Sequence, residues 1–201
     1  MEIPICGNAT LASARIVNHV FNKSSIRFVN IDDLVLNALV TTDQVELTFP
    51  VYGTTPSVAP QALLKALGIA EIVNAEFNSE TKILLIEIES ITELAVLKPD
   101  CSALIHSHNS INGVLVTAPS TSDEFDFHSR YFWPWSGTNE DPATGGTHTF
   151  LAPYWASRLN KTKIISFQSS KRTGHMEVEL VDGRLIIRSQ ATIVLDGELR
   201  I

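Results

Sequence analysis

Two short turns of small residues carry the chemistry that this sequence offers. Cys6-Gly7-Asn8-Ala9-Thr10 and Thr144-Gly145-Gly146-Thr147-His148 each lead directly into an apolar stretch with helical spacing. A glycine-bearing turn at a helix start leaves backbone N–H groups pointing outward, and the positive end of the helix dipole strengthens their hold on an anion. Two such turns facing each other across a cleft can grip a small carboxylate from both sides, through Gly7 on one and Gly145, Gly146 and Thr147 on the other. The same residues also serve plain packing, because small side chains let a helix begin close against a strand. Glu140-Asp141-Pro142 stands just before the second turn. Asp141 is there either as a cap or as a carboxylate at the mouth of the anion site.

Other chemically able residues fall outside this pattern. Cys6 begins a helix, where a thiol ionises more readily. Cofactor-free racemases oppose two such cysteines, but the matching place in the second turn is Thr144, so Cys6 reads as a small buried residue. His106 and His108 share a face if their segment is extended. No acid or further histidine lies near them at zinc-like spacing, so no metal site is expected. Tyr131, Phe132, Trp133 and Trp135 read as core or cleft lining.

The elements that position the two turns follow from periodicity. Residues 9–22 form an Ala-rich helix, apolar nearly all round and therefore expected to be buried, ended by Asn22 and Lys23. Strands are expected at 26–29, 34–40 and 45–49. Residues 50–60, with three prolines and a glycine, read as a linker. Beyond it a short helix at 61–67 stops at Gly68. Strands at 71–77 and 82–89, a helical turn at 91–97, and strands at 103–106, 113–117 and 129–132 come next. A second long helix covers 147–159, with Pro153 expected to kink it. Strands at 164–168, 176–181, 184–188 and 192–195 close the chain. The expected fold class is α+β, with two pseudo-symmetric lobes of curved mixed sheet around a central helix. The first lobe is 1–55 and the second 56–201, the last strand being free to return to the first.

Composition bounds the partners. The chain has 201 residues, 44% hydrophobic and 18% charged, as in an ordinary globular protein. A formal net charge of −7, with Lys171-Arg172 as its one tight basic run, argues against nucleic-acid binding. Two cysteines make no disulfide framework, and no segment has the length and apolarity of a membrane span or signal peptide. A cytoplasmic protein with no membrane partner is expected.

Longer motifs make the sequence recognisable. Ser129-Arg130-Tyr131-Phe132-Trp133-Pro134 leads through Gly137 and Glu140-Asp141-Pro142-Ala143-Thr144-Gly145 to His148 and Leu151-Ala152-Pro153-Tyr154-Trp155. Upstream stands Ile3-Pro4-Ile5-Cys6-Gly7-Asn8-Ala9-Thr10-Leu11-Ala12, and downstream Gln168-Ser169-Ser170-Lys171-Arg172-Thr173-Gly174. These three motifs, in this order, closely resemble those of the PhzF-like (phenazine biosynthesis-like) isomerase family over essentially the whole chain.

The resemblance implies a diaminopimelate epimerase-like fold with its site between the lobes. It also implies cofactor-independent isomerisation of a small cyclic carboxylate by a proton shift, which is general acid–base chemistry. Asp141 and Asn8 inherit the catalytic positions, while the amides at Gly7, Gly145, Gly146 and Thr147 hold the substrate carboxylate. Asn8 stands where the family has histidine, and Gly146-Thr147 where it has Ser-Ala. Asparagine forms hydrogen bonds but cannot shuttle a proton near neutral pH. In the family the first motif follows several tens of residues that include the catalytic glutamate. The resemblance thus implies a shortened first lobe and weak or absent activity, or an active isomerase with an incomplete gene model. A shortened lobe leaves exposed sheet edges that favour a homodimer or a protein partner. One eukaryotic branch of the family binds a WD-repeat protein, so a non-enzymatic binding role is the alternative.

Overall fold

Alternating apolar residues organise the chain into one continuous mixed sheet. The computed structural model describes residues 6–31 and 33–198, so Ile3-Pro4-Ile5 of the first motif, and Asp32, lie outside it. β1 (Ser25–Val29), β2 (Val35–Val40) and β3 (Val45–Pro50) form an antiparallel meander. Leu36, Ala38 and Val40 of β2, and Val45, Leu47 and Phe49 of β3, all point into the core. That strict period of two is the strand signal in the sequence. α1 (Gly7–Phe21) lies on this meander and ends at Asn22, whose left-handed backbone lets its N–H close on Asn18.

α1 corrects one expectation. Of its residues only Ala14 is fully buried, while Ile16 and Val20 are exposed and Phe21 is 65% exposed. The helix is apolar nearly all round, but among the described residues its packing partners are β1, β2 and β3 on one side.

β3 pairs with the last strand, β12 (Arg184–Ser189), which continues through β11 (Gly174–Val181) and β10 (Lys163–Gln168) to β8 (Phe127–Trp133). β7 (Gly113–Pro119), β6 (Ile83–Glu87), β5 (Asn74–Asn78) and β4 (Thr55–Pro56) complete the order, and β9 (Thr138–Asp141) hangs from β8. The β10·β8 and β6·β7 junctions are parallel and the rest antiparallel. α5 (His148–Leu159) packs on β10, β11 and β12. α2 (Gln61–Leu67), α3 (Ile91–Val96) and α4 (Cys101–Ser107) cover the other face of the central strands. Ile83 and Leu85 of β6 join the core beneath α1 and α5, while Leu84 and Ile86 join the core beneath α2–α4. A five-residue strand without an outward face is thereby explained.

Three further expectations change. Residues 103–106 are helical, not extended, because the Asp100 carboxylate caps α4 by accepting from Ala103 N–H at 3.0 Å. His106 therefore bonds back to the Ser102 carbonyl, and His108 lies past the helix end. Residues 192–195 form no strand, with Val194 and Leu195 exposed. Cys6 is half-buried at the start of α1 rather than enclosed.

Pro153 sits inside α5, which runs through it. A proline supplies no N–H, so the Thr149 carbonyl four residues earlier is free. Tyr52 takes that place and donates its backbone N–H to Thr149 O at 2.9 Å. The proline thus gives the helix a docking point for the chain that leaves β3. No helix among the described residues is long and apolar enough to cross a membrane.

Candidate functional site

The two glycine turns meet. A Cβ placed on Gly7 would lie only 3.5 Å from Gly145 Cα, so α1 and α5 begin almost in contact, with both helix N-termini directed at one cavity of about 350 Å³. Gly7, Asn8, Asp141, Gly145, Gly146 and Thr147 all line it. The structure therefore gathers every site residue expected from sequence into one place, joined by Cys6 and Thr144.

Backbone accounting shows what the second turn offers. The His148, Thr149 and Phe150 amides find carbonyls at Gly145, Gly146 and Thr147, and the Thr144 amide finds Gln168 Oε1 at 2.8 Å. The amides of Gly145, Gly146 and Thr147 have no acceptor among the described residues. Three consecutive N–H groups of this kind at a helix start are an arrangement able to cradle an anion. The first-turn amides of α1 face it without intrahelical acceptors of their own.

This loop is held from below by buried side chains. Gln168, 3% exposed, donates to Asp141 O at 2.5 Å while accepting from Thr144 N–H. Ser170 donates to Pro142 O at 2.5 Å. His148 is fully enclosed and donates Nδ1–H to Thr144 O at 2.9 Å, with Nε2 at 2.8 Å from Ser166 Oγ. Burial pulls its pKa down to about 4, against the smaller opposing effect of the Thr144 and Gly145 backbone, so the ring is neutral. A neutral imidazole that donates to a carbonyl and accepts from a hydroxyl is fully satisfied, which makes it a brace for the cradle. Gln168, Ser170 and His148 were visible as motif residues, but which backbone atom each holds was not.

Asn8 and Asp141 both line the cavity beside the second turn. Asn8 Nδ2 donates to Ala143 O at 2.7 Å, tying the first turn to the second loop and leaving Oδ1 as its free polar atom. The Asp141 carboxyl is shifted upward by burial, with smaller opposing contributions from Thr144 and the Ala143 amide. A carboxyl that holds its proton more tightly than usual is suited to donating one. Asp141 is paired in register with Tyr131 across β9 and β8.

Several lining residues had no sequence signal: Tyr52, Glu80, Thr81, Ile83, Asn112 and Ser136. They come from turns and strand ends that are distant in sequence, and only the sheet order brings them together. Glu80 and Asp141 are the acidic residues of the lining, which among the described residues has no Lys, Arg or His. An anion in this cavity would meet backbone amides rather than cationic side chains. Among the described residues no group of three or more His, Cys, Asp or Glu is arranged to hold a metal ion.

Comparison with known proteins agrees with this geometry. The family model described as phenazine biosynthesis-like protein (PhzC-PhzF) matches residues 1–197. An uncharacterized isomerase of Halalkalibacterium halodurans is 38% identical over 202 residues, spanning 98% of this chain and 74% of the relative. A mouse phenazine biosynthesis-like domain-containing protein 1 is 35% identical over 213 residues, again 98% of this chain and 74% of the relative. The crystal structure of a phenazine biosynthesis protein of the PhzF family from Enterococcus faecalis superposes with a TM-score of 0.86 at 31% identity, covering 100% of this chain and 75% of that one.

Proposed function

Because the chain belongs to the phenazine biosynthesis-like (PhzC-PhzF) family, we propose that its cavity receives a small cyclic carboxylate and is laid out for proton-shift isomerisation, with slow turnover in this chain. One observation carries the reading: three unpaired amides at Gly145–Thr147 lie beside a carboxyl of raised pKa, Asp141, and opposite a second helix N-terminus. The cradle binds the substrate carboxylate and thereby orients the ring. Asp141 exchanges a proton with a ring carbon. The isomerase name of the Halalkalibacterium relative supports this reaction class. Slow turnover follows from Asn8, whose amide nitrogen is committed to Ala143 O and whose side chain carries no exchangeable acid proton near neutral pH. The unpaired Cys6 and Cys101 suit a reducing, cytoplasmic setting.

The test uses 2,3-dihydro-3-hydroxyanthranilate in D2O, followed by NMR. Slow deuterium incorporation into a ring C–H, lost in Asp141→Ala, is expected. Absence of exchange, together with absence of binding of anthranilate by calorimetry, refutes the reading. Rapid turnover refutes only the clause about Asn8.

A second reading, in which the chain works through a partner chain, is favoured by the exposed Ile16, Val20 and Phe21 on α1. A homodimer at micromolar concentration that Phe21→Glu dissociates in sedimentation supports it. A monomer at every concentration removes it.

A further inference from the structure

We propose that the Tyr131 hydroxyl is a ligand-contacting hydrogen-bond donor in this cavity, seated in a niche that exists because residue 113 is glycine. The proposal rests on the carboxylate reading above and adds a group to it. Tyr131 lines the cavity and is only 5% exposed, yet its hydroxyl makes no hydrogen bond with any described residue. A tyrosine this enclosed normally finds a protein partner for its O–H, whereas here the O–H opens into the cavity. The other enclosed tyrosine shows the normal case. Tyr154 donates to Glu87 at 2.5 Å and accepts from Asn74 at 3.2 Å.

The position of the unpaired hydroxyl is specific. A Cβ on Gly113 would stand 2.8 Å from the Tyr131 oxygen and 2.6 Å from its ring, so any side chain at 113 would displace it. Asn112, which precedes Gly113, and Ile83, its register partner on β6, both line the cavity. On the other side Tyr131 is the cross-strand partner of Asp141, which places the phenol and the carboxyl on one face. The Trp133 indole N–H, on the same strand and in the same cavity wall, is buried without a partner among the described residues. One wall of the site therefore presents donors that the protein does not satisfy.

Burial first, and the Asp141 charge second, push the Tyr131 pKa upward. The phenol accordingly stays protonated over the whole physiological range. It donates to an acceptor oxygen of the ligand and takes no part as a base. In a proton shift next to a carboxylate, charge builds on ligand oxygens as the C–H bond breaks, and a fixed O–H donor in the cavity wall stabilises that charge. Tyr131 and Asp141 then divide the work, with Asp141 handling the proton and Tyr131 the charge.

A structural role predicts the opposite behaviour from a ligand-binding one. Tyr131→Phe removes only a hydroxyl without a protein partner, so the variant is expected to be as stable as the parent or more so. Binding of 3-hydroxyanthranilate, measured by calorimetry, is expected to weaken about tenfold, as for loss of a hydrogen bond to a charged acceptor. The chain has three tyrosines, so 13Cζ-tyrosine labelling gives a readout in the unmutated protein. The Tyr131 signal should move on saturation with 3-hydroxyanthranilate while that of Tyr154 stays. Binding by Tyr131→Phe within twofold of the parent, or an unmoved Tyr131 signal, overturns the inference and leaves the carboxylate reading standing. Failure of the parent to bind 3-hydroxyanthranilate overturns both.

Discussion

Acidification should destabilise the fold around the cradle, with His148 as its largest histidine contribution. The ring is fully enclosed, and its pKa falls from 6.5 to about 4 because burial disfavours the imidazolium. The folded state therefore binds this proton less readily than the unfolded chain does. As pH drops below 6.5 the unfolded chain takes up a proton that the fold refuses, and stability declines until the folded pKa near 4 is passed. A shift of that size corresponds to about 3 kcal/mol, a large share of the 5–15 kcal/mol that holds a typical domain. At neutral pH the contribution is fully present. Proton entry forces an N–H onto Nε2, which now faces Ser166 Oγ at 2.8 Å. Ser166 can adapt, since its hydroxyl also reaches Met176 O at 3.3 Å, so the penalty is one of desolvation more than of lost hydrogen bonds. The assay is a histidine-selective NMR titration from pH 8 to 4 beside urea unfolding at the same points. The His148 ring should remain neutral to below pH 5, and unfolding free energy should drop over the 6.5-to-4 window. Carboxylate affinity should fall only as the fold itself is lost, because Nδ1–H holds the Thr144 carbonyl under the cradle in both protonation states. A His148 ring that titrates near 6.5 in the folded protein refutes the reasoning.

Gln168→Leu removes the side chain that holds both Asp141 O and Thr144 N–H, leaving two buried backbone groups unpaired. A loss of about 1–3 kcal/mol in chemical unfolding is expected, with a parallel loss of anthranilate affinity in calorimetry. Arg130 forms a two-pronged pair with Glu140 at 2.7 and 2.9 Å and also donates to the carbonyls of Leu94 and Leu97 at the end of α3. Arg130→Met strands the half-buried Glu140 and those carbonyls, and should cost about 3–5 kcal/mol in urea unfolding. Gly113→Ala drives a methyl into the Tyr131 ring and hydroxyl and should cost about 1–3 kcal/mol of overpacking, read as a lowered melting temperature.

Much of this architecture is legible in the sequence because strands such as β2 and β3 repeat at two and the helices carry their own start and stop residues. The alternation of Val45, Leu47 and Phe49 gives β3, and Gly68, with its left-handed φ of 80°, ends α2 where the sequence places the stop. Legibility fails where a capping side chain overrides propensity. The apolar run at 103–106 looks extended until Asp100 is counted as an N-cap. It fails again at α1, where periodicity shows that a helix forms but not how many of its faces find a partner. In the site, the two glycine turns and Asp141 were readable because local backbone chemistry makes them. Tyr52, Glu80 and Asn112 were not, since their position depends on the strand order β7-β6-β5-β4 and on the Tyr52 docking at Thr149.

The same contrast explains how the site is built. The groups proposed to touch the ligand are backbone amides and short side chains on loops, which on their own would be mobile. They are fixed because each loop atom that can be bonded from below is bonded by an enclosed side chain from β10, from the turn that follows it, or from α5. Gln168, Ser170 and His148 use up the carbonyls of Asp141, Pro142 and Thr144 and the amide of Thr144. What remains unbonded among the described residues is mostly donors, the Gly145–Thr147 amides, the Trp133 indole and the Tyr131 hydroxyl, with Asn8 Oδ1 as an acceptor beside them. A cavity whose unspent groups are mostly donors, and whose lining among the described residues carries two acids and no base, favours a ligand that brings acceptor oxygens and rejects one that relies on a cationic side chain to bind its charge. Glu80, beside Tyr52 at the wall, extends that preference, because a second carboxylate on the ligand would meet it without compensation. The ligand class most compatible with these walls carries one carboxylate, not two.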